Sequence, residues 1–267
     1  MQSPWISPRF PPSSRDGIRK DSRVDFERVS EHIFRMELPY QAIGPIHFPV
    51  ALWLIREEQG WTLIDSGPPE GGELVVSAIA RTTRGQGPVR VLLTHGHVDH
   101  CGGLNAINVQ WQPPIYCHKA ETGFITGERD YRDVSTRNPL FWLLRQLIPS
   151  PNIGLPVSHE LQRGESIAGM VVIHLPGHTP GHIGFLHSTD QAMICGDAIM
   201  NRGGRITPPM RILTVDPGLA QASIQRLGEL DFKHLLPSHG APILGEGRAA
   251  MLAYLGVKQE SNSLENW

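Results

Sequence analysis

The sequence offers little that would carry the chain into a membrane or onto a polyanion. No stretch approaches the roughly 20 consecutive apolar residues that a membrane-spanning helix needs. The 24 basic and 26 acidic side chains leave a formal net charge of -2, so neither a membrane nor a nucleic acid is an expected partner. Cysteine is scarce. The three present, Cys101, Cys117 and Cys195, sit in apolar or glycine-rich contexts without the spacing of a zinc ribbon or the density of a disulfide framework, and a reducing compartment is the default. Met1 to Arg23 mixes Pro, Ser, Arg and Asp without the apolar core of a secretion signal, and reads as an extension ahead of the folded part. The expectation is a cytoplasmic protein acting on a small molecule.

What is present is enough apolar material, 40% of 267 residues, for one large core or two closely packed halves. Strand-like text runs through Ile33–Met36, Val50–Ile55 and Trp61–Asp65, with Gln59-Gly60 as a hairpin turn. Leu74, Val75, Ala78 and Ile79 share one face of a helix between Gly71 and Arg81. Val89–Thr94 is apolar on both sides, as a covered interior strand would be. Further strands are expected at Met170–Leu175, Ile183–Leu186, Ala192–Cys195 and His234–Pro237. Asp216-Pro217 opens one late helix and Gly247–Leu255 forms another. Residues 24–257 thus read as one domain, 258–267 as a polar tail, and 119–157 as a helical insert. Within the insert, Asn138-Pro139 starts an apolar helix that Pro149 ends; it would pack in the core, line a substrate pocket or join a homodimer.

Of thirteen histidines, three fall within six residues, in Thr94-His95-Gly96-His97-Val98-Asp99-His100. At a strand end, residues i and i+2 point to one side, so His95 and His97 can grip one cation while Asp99 and His100 face a second. More donors follow later strands: His178 in Pro176-Gly177-His178-Thr179-Pro180-Gly181-His182, Asp197 in Cys195-Gly196-Asp197, and His239 in Pro237-Ser238-His239. Seven donors exceed one four-coordinate ion and suit two. A carboxylate has two oxygens to share, so Asp197 is the natural bridge. His32, His47, His159, His187 and His234 stand apart and read as surface or satisfied core residues, with His118 and His174 as structural ones. Cys101 and Cys195 read as small buried packing residues.

This segment resembles the His-x-His-x-Asp-His signature of the metallo-β-lactamase superfamily, and the likeness runs from Asp65 to His239 with the later motifs in family order. The resemblance implies an α/β fold, a four-layer αβ/βα sandwich with two sheets packed face to face and helices outside. It assigns His95, His97 and His178 to one metal, Asp99, His100 and His239 to the other, and Asp197 to both. Asp65, in Asp65-Ser66-Gly67, takes the family's supporting position behind the ligands, and His182 reads as a supporting or packing residue. Two divalent cations are implied, zinc first, with iron, manganese or cobalt suited to the same donors. They would hold a bridging hydroxide at neutral pH for attack on an ester, lactone or thioester, with Asp99 orienting the nucleophile or passing a proton.

The full donor set departs from the single-iron persulfide dioxygenases of the same scaffold. Asp197 departs from the common di-zinc β-lactamases. Met200 stands where the best-known lactonases of the superfamily carry a tyrosine, and the tail offers only Arg248 and Lys258 where glyoxalase II enzymes bind glutathione. Phe141 and Trp142 in the insert, with Met200 and Arg202 after the Asp197 motif, are the candidate substrate contacts. Phosphotriesters are an expected side substrate. A mononuclear iron oxidoreductase and a non-catalytic metal-binding protein are the readings from other classes.

Overall fold

The structure, a computed structural model, describes residues 24–43, 46–134, 143, 146 and 153–257, with the side chains of 42–47 also outside the description. The expected N-terminal extension, the apolar helix after Asn138 with Phe141 and Trp142, the 258–267 tail and the side chain of His47 therefore lie outside the described residues.

Seven strands form the first sheet in chain order: β1 (Glu27–Arg28), β2 (Ile33–Ile43), β3 (Ile46–Glu57), β4 (Gly60–Ile64), β5 (Arg90–Leu92), β6 (Ile115–His118) and β7 (His159–Leu161). The first four pair antiparallel through hairpins, and β4 to β7 run parallel. The parallel crossovers need helices. These are α1 (Gly72–Thr82), the consecutive pair α2 (Val98–Cys101) and α3 (Leu104–Trp111), and the short α4 (Thr122–Thr126). The second sheet holds β8 (Ser166–Ile167), β9 (Met170–His174), β10 (Ile183–His187) and β11 (Ala192–Gly196). A small hairpin of β12 (Met200–Arg202) and β13 (Arg205–Thr207) follows, and after α5 (Pro217–Glu229) the chain returns as β14 (His234–Pro237), parallel to β11. Helix α6 (Gly247–Tyr254) ends the described part.

Alternation along each strand sorts side chains into three apolar layers. On β3, Leu52 and Leu54 face α1 and α3, while Ala51, Trp53 and Ile55 face the other sheet. There they meet Val172, Phe185, Ile194 and Leu236. Behind the second sheet, Met193 and Cys195 pack on Ile224 and Leu227 of α5 and Met251 of α6. Helix, sheet, sheet and helix make the four-layer αβ/βα sandwich that the resemblance implied. Asp216 caps α5 by accepting from the backbone of Leu219 at 3.0 Å, with Pro217 in the first turn. The stretch after Met200 forms the β12–β13 hairpin, with Arg202 at the end of its first strand.

A polar lock joins the sheets at the end away from the clustered histidines. Asp190, in the β10–β11 turn, accepts from the Ser30 hydroxyl, from the His32 amide at 3.1 Å and from His32 Nδ1 at 2.7 Å. Its own amide donates to His187 Nδ1 at 3.1 Å. Burial works to raise the Asp190 pKa, but the donors from Ser30 and His32 outweigh it and hold the carboxyl below its ordinary value. A depressed carboxyl stabilises the fold above the unfolded pKa of about 4, and that contribution is lost as pH falls through the lower folded value. Asp190→Asn is therefore expected to unfold at lower denaturant at pH 7, with the gap to wild type closing as pH falls below about 4. Urea titrations of the metal-free protein between pH 7 and 3 measure this; a gap that stays constant would refute it.

Candidate metal centre

The seven donors meet at the end of the sandwich where β5, β9, β11 and β14 stop. Strand β5 ends at Leu92, so His95 and His97 stand on a loop rather than on the strand end expected from sequence. The backbone nevertheless stays extended into His97 (φ -67°, ψ 151°), which precedes α2, and the i, i+2 relation survives. Asp99 and His100 occupy the single turn of α2. From the second sheet come His178 and His182 after β9, Asp197 after β11 and His239 after β14. Gly196, at φ 54°, lets Asp197 approach: a Cβ there would lie 2.7 Å from His182 Nε2.

Nδ1 of His97 lies 3.1 Å from Nε2 of His95 and 3.0 Å from Nε2 of His178. Asp99, His100 and His239 make a second trio, and within each trio the donor atoms lie within 4.8 Å of one another. Asp197 stands between them. Its Oδ1 is 3.4 Å from His100 Nε2, and its Oδ2 is 3.4 Å from His178 Nε2 and 3.2 Å from His239 Nε2. His97 and Asp99 are half-buried, while the other five are buried. His100 Nε2 and Asp197 Oδ1 are enclosed without any hydrogen-bond partner. Buried polar atoms are rarely left so, and these two point at each other's neighbourhood among further lone pairs. A divalent cation fits that arrangement.

The rings are oriented from behind. His100 Nδ1–H donates to Asp65 Oδ2 at 2.9 Å, and Asp65 Oδ1 accepts from the Thr94 amide at 2.8 Å. The Thr94 hydroxyl also donates to Asp65 Oδ2 at 2.8 Å, which leaves its oxygen to accept from His95 Nδ1–H at 3.1 Å. His178 Nδ1–H faces Thr214 Oγ1 at 3.4 Å, and that hydroxyl is spent on Met210 O at 2.8 Å. His239 Nδ1–H donates to Pro49 O at 2.9 Å. In all four rings an acceptor holds the Nδ1 proton on the outside and Nε2 turns inward, the orientation that metal-ligating imidazoles require. His182 does otherwise. Its Nε2 accepts from the Asp197 amide at 2.9 Å, so it supports the backbone of Asp197 instead of joining the donors.

Electrostatics divide the two trios. Burial pushes His95 and His178 well below the ordinary imidazole pKa, helped by neighbouring rings. It likewise lowers His182 to about 3. For His100, burial pulls down, but Asp99, Asp197 and Asp65 outweigh it and hold the ring at about 9. His239 rises in the same way beside Asp197 and Asp99, and both of those carboxyls are lowered despite burial. Without cations, protons on His100 and His239 balance the buried carboxylates, and an entering cation replaces them.

Around the second trio lies a rim. Phe48 meets the His239 ring edge-on with centroids 6.1 Å apart, and the exposed Arg202 guanidinium lies 5.7 Å above the Phe48 ring. Met200 is buried, with its sulfur 3.5 Å from Arg202 Nη2, so it backs Arg202 and has little surface of its own. Tyr40 pairs with Phe48 across the β2–β3 hairpin, and its phenol pKa is raised by burial and then by Asp99. Phe48 and Tyr40 are not singled out by the sequence. Nor are Thr94, Glu121 and Tyr131; the last two sit on the segment after β6, where Glu121 accepts from the Gly96 amide between two of the histidines. His118 and His174 stack on each other at 4.4 Å, away from the donors.

The family model of the metallo-beta-lactamase superfamily matches residues 46–239. The probable metallo-hydrolase YflN of Bacillus subtilis is 30% identical over 227 residues, which are 78% of this chain and 86% of that protein. A hydroxyacylglutathione hydrolase of Shewanella pealeana is 27% identical over 67% of this chain and 56% of its own. Among solved structures, TTHA1623 in a di-iron-bound form superposes with TM-score 0.58 at 28% identity, over 80% of this chain and 98% of that one. A metallo-beta-lactamase from Pontibacter korlensis, 17% identical, gives TM-score 0.65 over 88% and 100% and speaks to the fold alone.

Asp65 is the acceptor on which both His100 and Thr94 depend, and its left-handed backbone (φ 59°) is one that asparagine tolerates. Asp65→Asn is therefore expected to fold and to lose roughly 10- to 100-fold in metal affinity. Chelator competition reads that loss, and unchanged affinity would show that His100 needs no such partner.

Proposed function

The chain belongs to the metallo-β-lactamase superfamily of metal-dependent hydrolases, and from that premise we propose that it is a dinuclear enzyme cleaving a carboxylic ester, lactone or thioester. One observation carries the reading: Asp197 presents one oxygen to His100 and the other to His178 and His239, between two complete trios. His95, His97 and His178 would hold one cation, Asp99, His100 and His239 the other, with Asp197 on both. Zinc is the first expectation; the di-iron form of TTHA1623 supports a pair of ions and makes iron the chief alternative. When bound, such a pair supplies Lewis acidity and a hydroxide nucleophile near neutral pH.

The chain's own residues do the rest. Asp99 is the half-buried carboxylate of the seven donors, and its Oδ2 lies 3.6 Å from His100 Nε2 and 3.4 Å from His239 Nε2. At the open side of the centre and kept as a carboxylate, Asp99 would orient the nucleophile by accepting a hydrogen bond from it. Phe48 offers an aromatic wall on the same side, backed by the buried Tyr40, and Arg202 a cation beyond it for an acidic substituent. The relatives named hydroxyacylglutathione hydrolases act, by name, on a hydroxyacyl glutathione, which favours the thioester arm. This chain spans 50% and 56% of two of them, so the acyl group and the thiol are not carried over.

The test is a panel of esters, lactones and thioesters run on protein whose metals have been counted. Two metal equivalents per chain are expected, with activity lost to chelator and restored by zinc or iron. Asp99→Ala is expected to lower kcat roughly 10²- to 10⁴-fold. A single iron per chain with oxygen consumption, or His97→Ala with both metals and full activity, would overturn the proposal.

A further inference from the structure

Glu121 is fully buried at the entrance to α4, away from every proposed ligand in sequence. Its two oxygens serve two different loops. Oε2 accepts from the Gly96 amide at 2.9 Å, on the first-sheet loop between His95 and His97. Oε1 accepts from the Gly181 amide at 2.6 Å, on the second-sheet loop that carries His178. The Tyr131 hydroxyl donates to the same Oε2 and also lies 3.2 Å from the Gly96 nitrogen, while its ring meets His97 edge-on at 4.7 Å. Neither loop has room for a side chain here. A Cβ on Gly181 would lie 2.8 Å from Glu121 Cγ, and one on Gly96 3.0 Å from the Tyr131 hydroxyl.

We propose that Glu121 is a positioning residue for the three-histidine cluster, its carboxylate tying the His95–His97 loop of one sheet to the His178 loop of the other. His95 and His178 are each held from behind on their own side, by Thr94 and by Thr214, and beside them the Ile183 amide donates to Thr94 O at 2.9 Å across the two loops. Glu121 adds a second link, one side chain with an amide on each carboxylate oxygen; burial raises its pKa, and the donors from Tyr131, Gly181 and Gly96 work against that rise. Tyr131 then holds the carboxylate in plane and buttresses His97. The inference rests on the reading that His95, His97 and His178 share a cation.

Glu121→Gln is the discriminating substitution. It keeps volume and shape, but one oxygen becomes an NH2 group that cannot accept from an amide, so one of the two loops loses its anchor. The full chain, loaded with cobalt(II), is expected to show altered visible absorption bands from the imidazole-bound ion. Its affinity should be roughly 10- to 100-fold weaker by chelator competition, the scale for losing a group that orients ligands. kcat should fall more than KM changes. A merely space-filling Glu121 would leave all three as in wild type, and that result overturns the proposal. Wild-type protein that binds no metal would instead overturn the reading beneath it. Should the variant not fold, hydrogen exchange on the wild-type chain decides: slow exchange at both Gly96 and Gly181 amides supports the tie, and fast exchange at either removes it.

Discussion

Two carboxylates and most of five imidazoles are taken out of water at one end of the sandwich, and ionised groups tolerate this only when each finds an opposite charge or a cation. Nearly every other feature of that end answers this demand. Asp99 and Asp197 draw His100 and His239 toward the charged state, whereas His95 and His178, buried among other rings, are driven neutral. The outer partners, Asp65, Thr94, Thr214 and the Pro49 carbonyl, take the remaining ring protons. The inward lone pairs that result are what makes the cluster suited to cations rather than to a folded core alone.

The sandwich supplies the other half of the constraint. Donors arrive from both sheets, and each sheet contributes to each trio: His95 and His97 with His178, Asp99 and His100 with His239. Sheets that slid or splayed would open both trios at once. The inter-sheet layer of Trp53, Phe185 and their neighbours resists this through packing, and the Ser30–His32–Asp190 lock resists it at the far end.

Much of this was legible in the sequence because it is local. His95 and His97 stay on one side of an extended backbone whether or not a partner strand continues, so the shortfall of β5 left their relation intact. The alternation on β3 and the helical face of α1 report the layers directly. Glu121 escaped notice for the opposite reason. Its acceptor roles depend on amides 25 and 60 residues away, and an acidic residue just ahead of a helix reads as an ordinary complement to the helix dipole. Phe48 and Tyr40 are cross-strand partners only through hairpin register, and Met200–Arg202 pairs with Arg205–Thr207 across a tight turn that Gly203 and Gly204 close at positive φ.

The β2–β3 hairpin carries a mechanical consequence. Pro49 O receives His239 Nδ1–H, and two residues on, the Ala51 amide donates to Ser238 O at 2.7 Å. The root of the hairpin and the last donor are thus stitched into a single rigid joint, with Phe48 immediately beyond it. A displacement of the hairpin root would therefore carry the His239 ring with it. The position of Phe48 and the orientation of the His239 ring are thereby coupled through one short stretch of backbone.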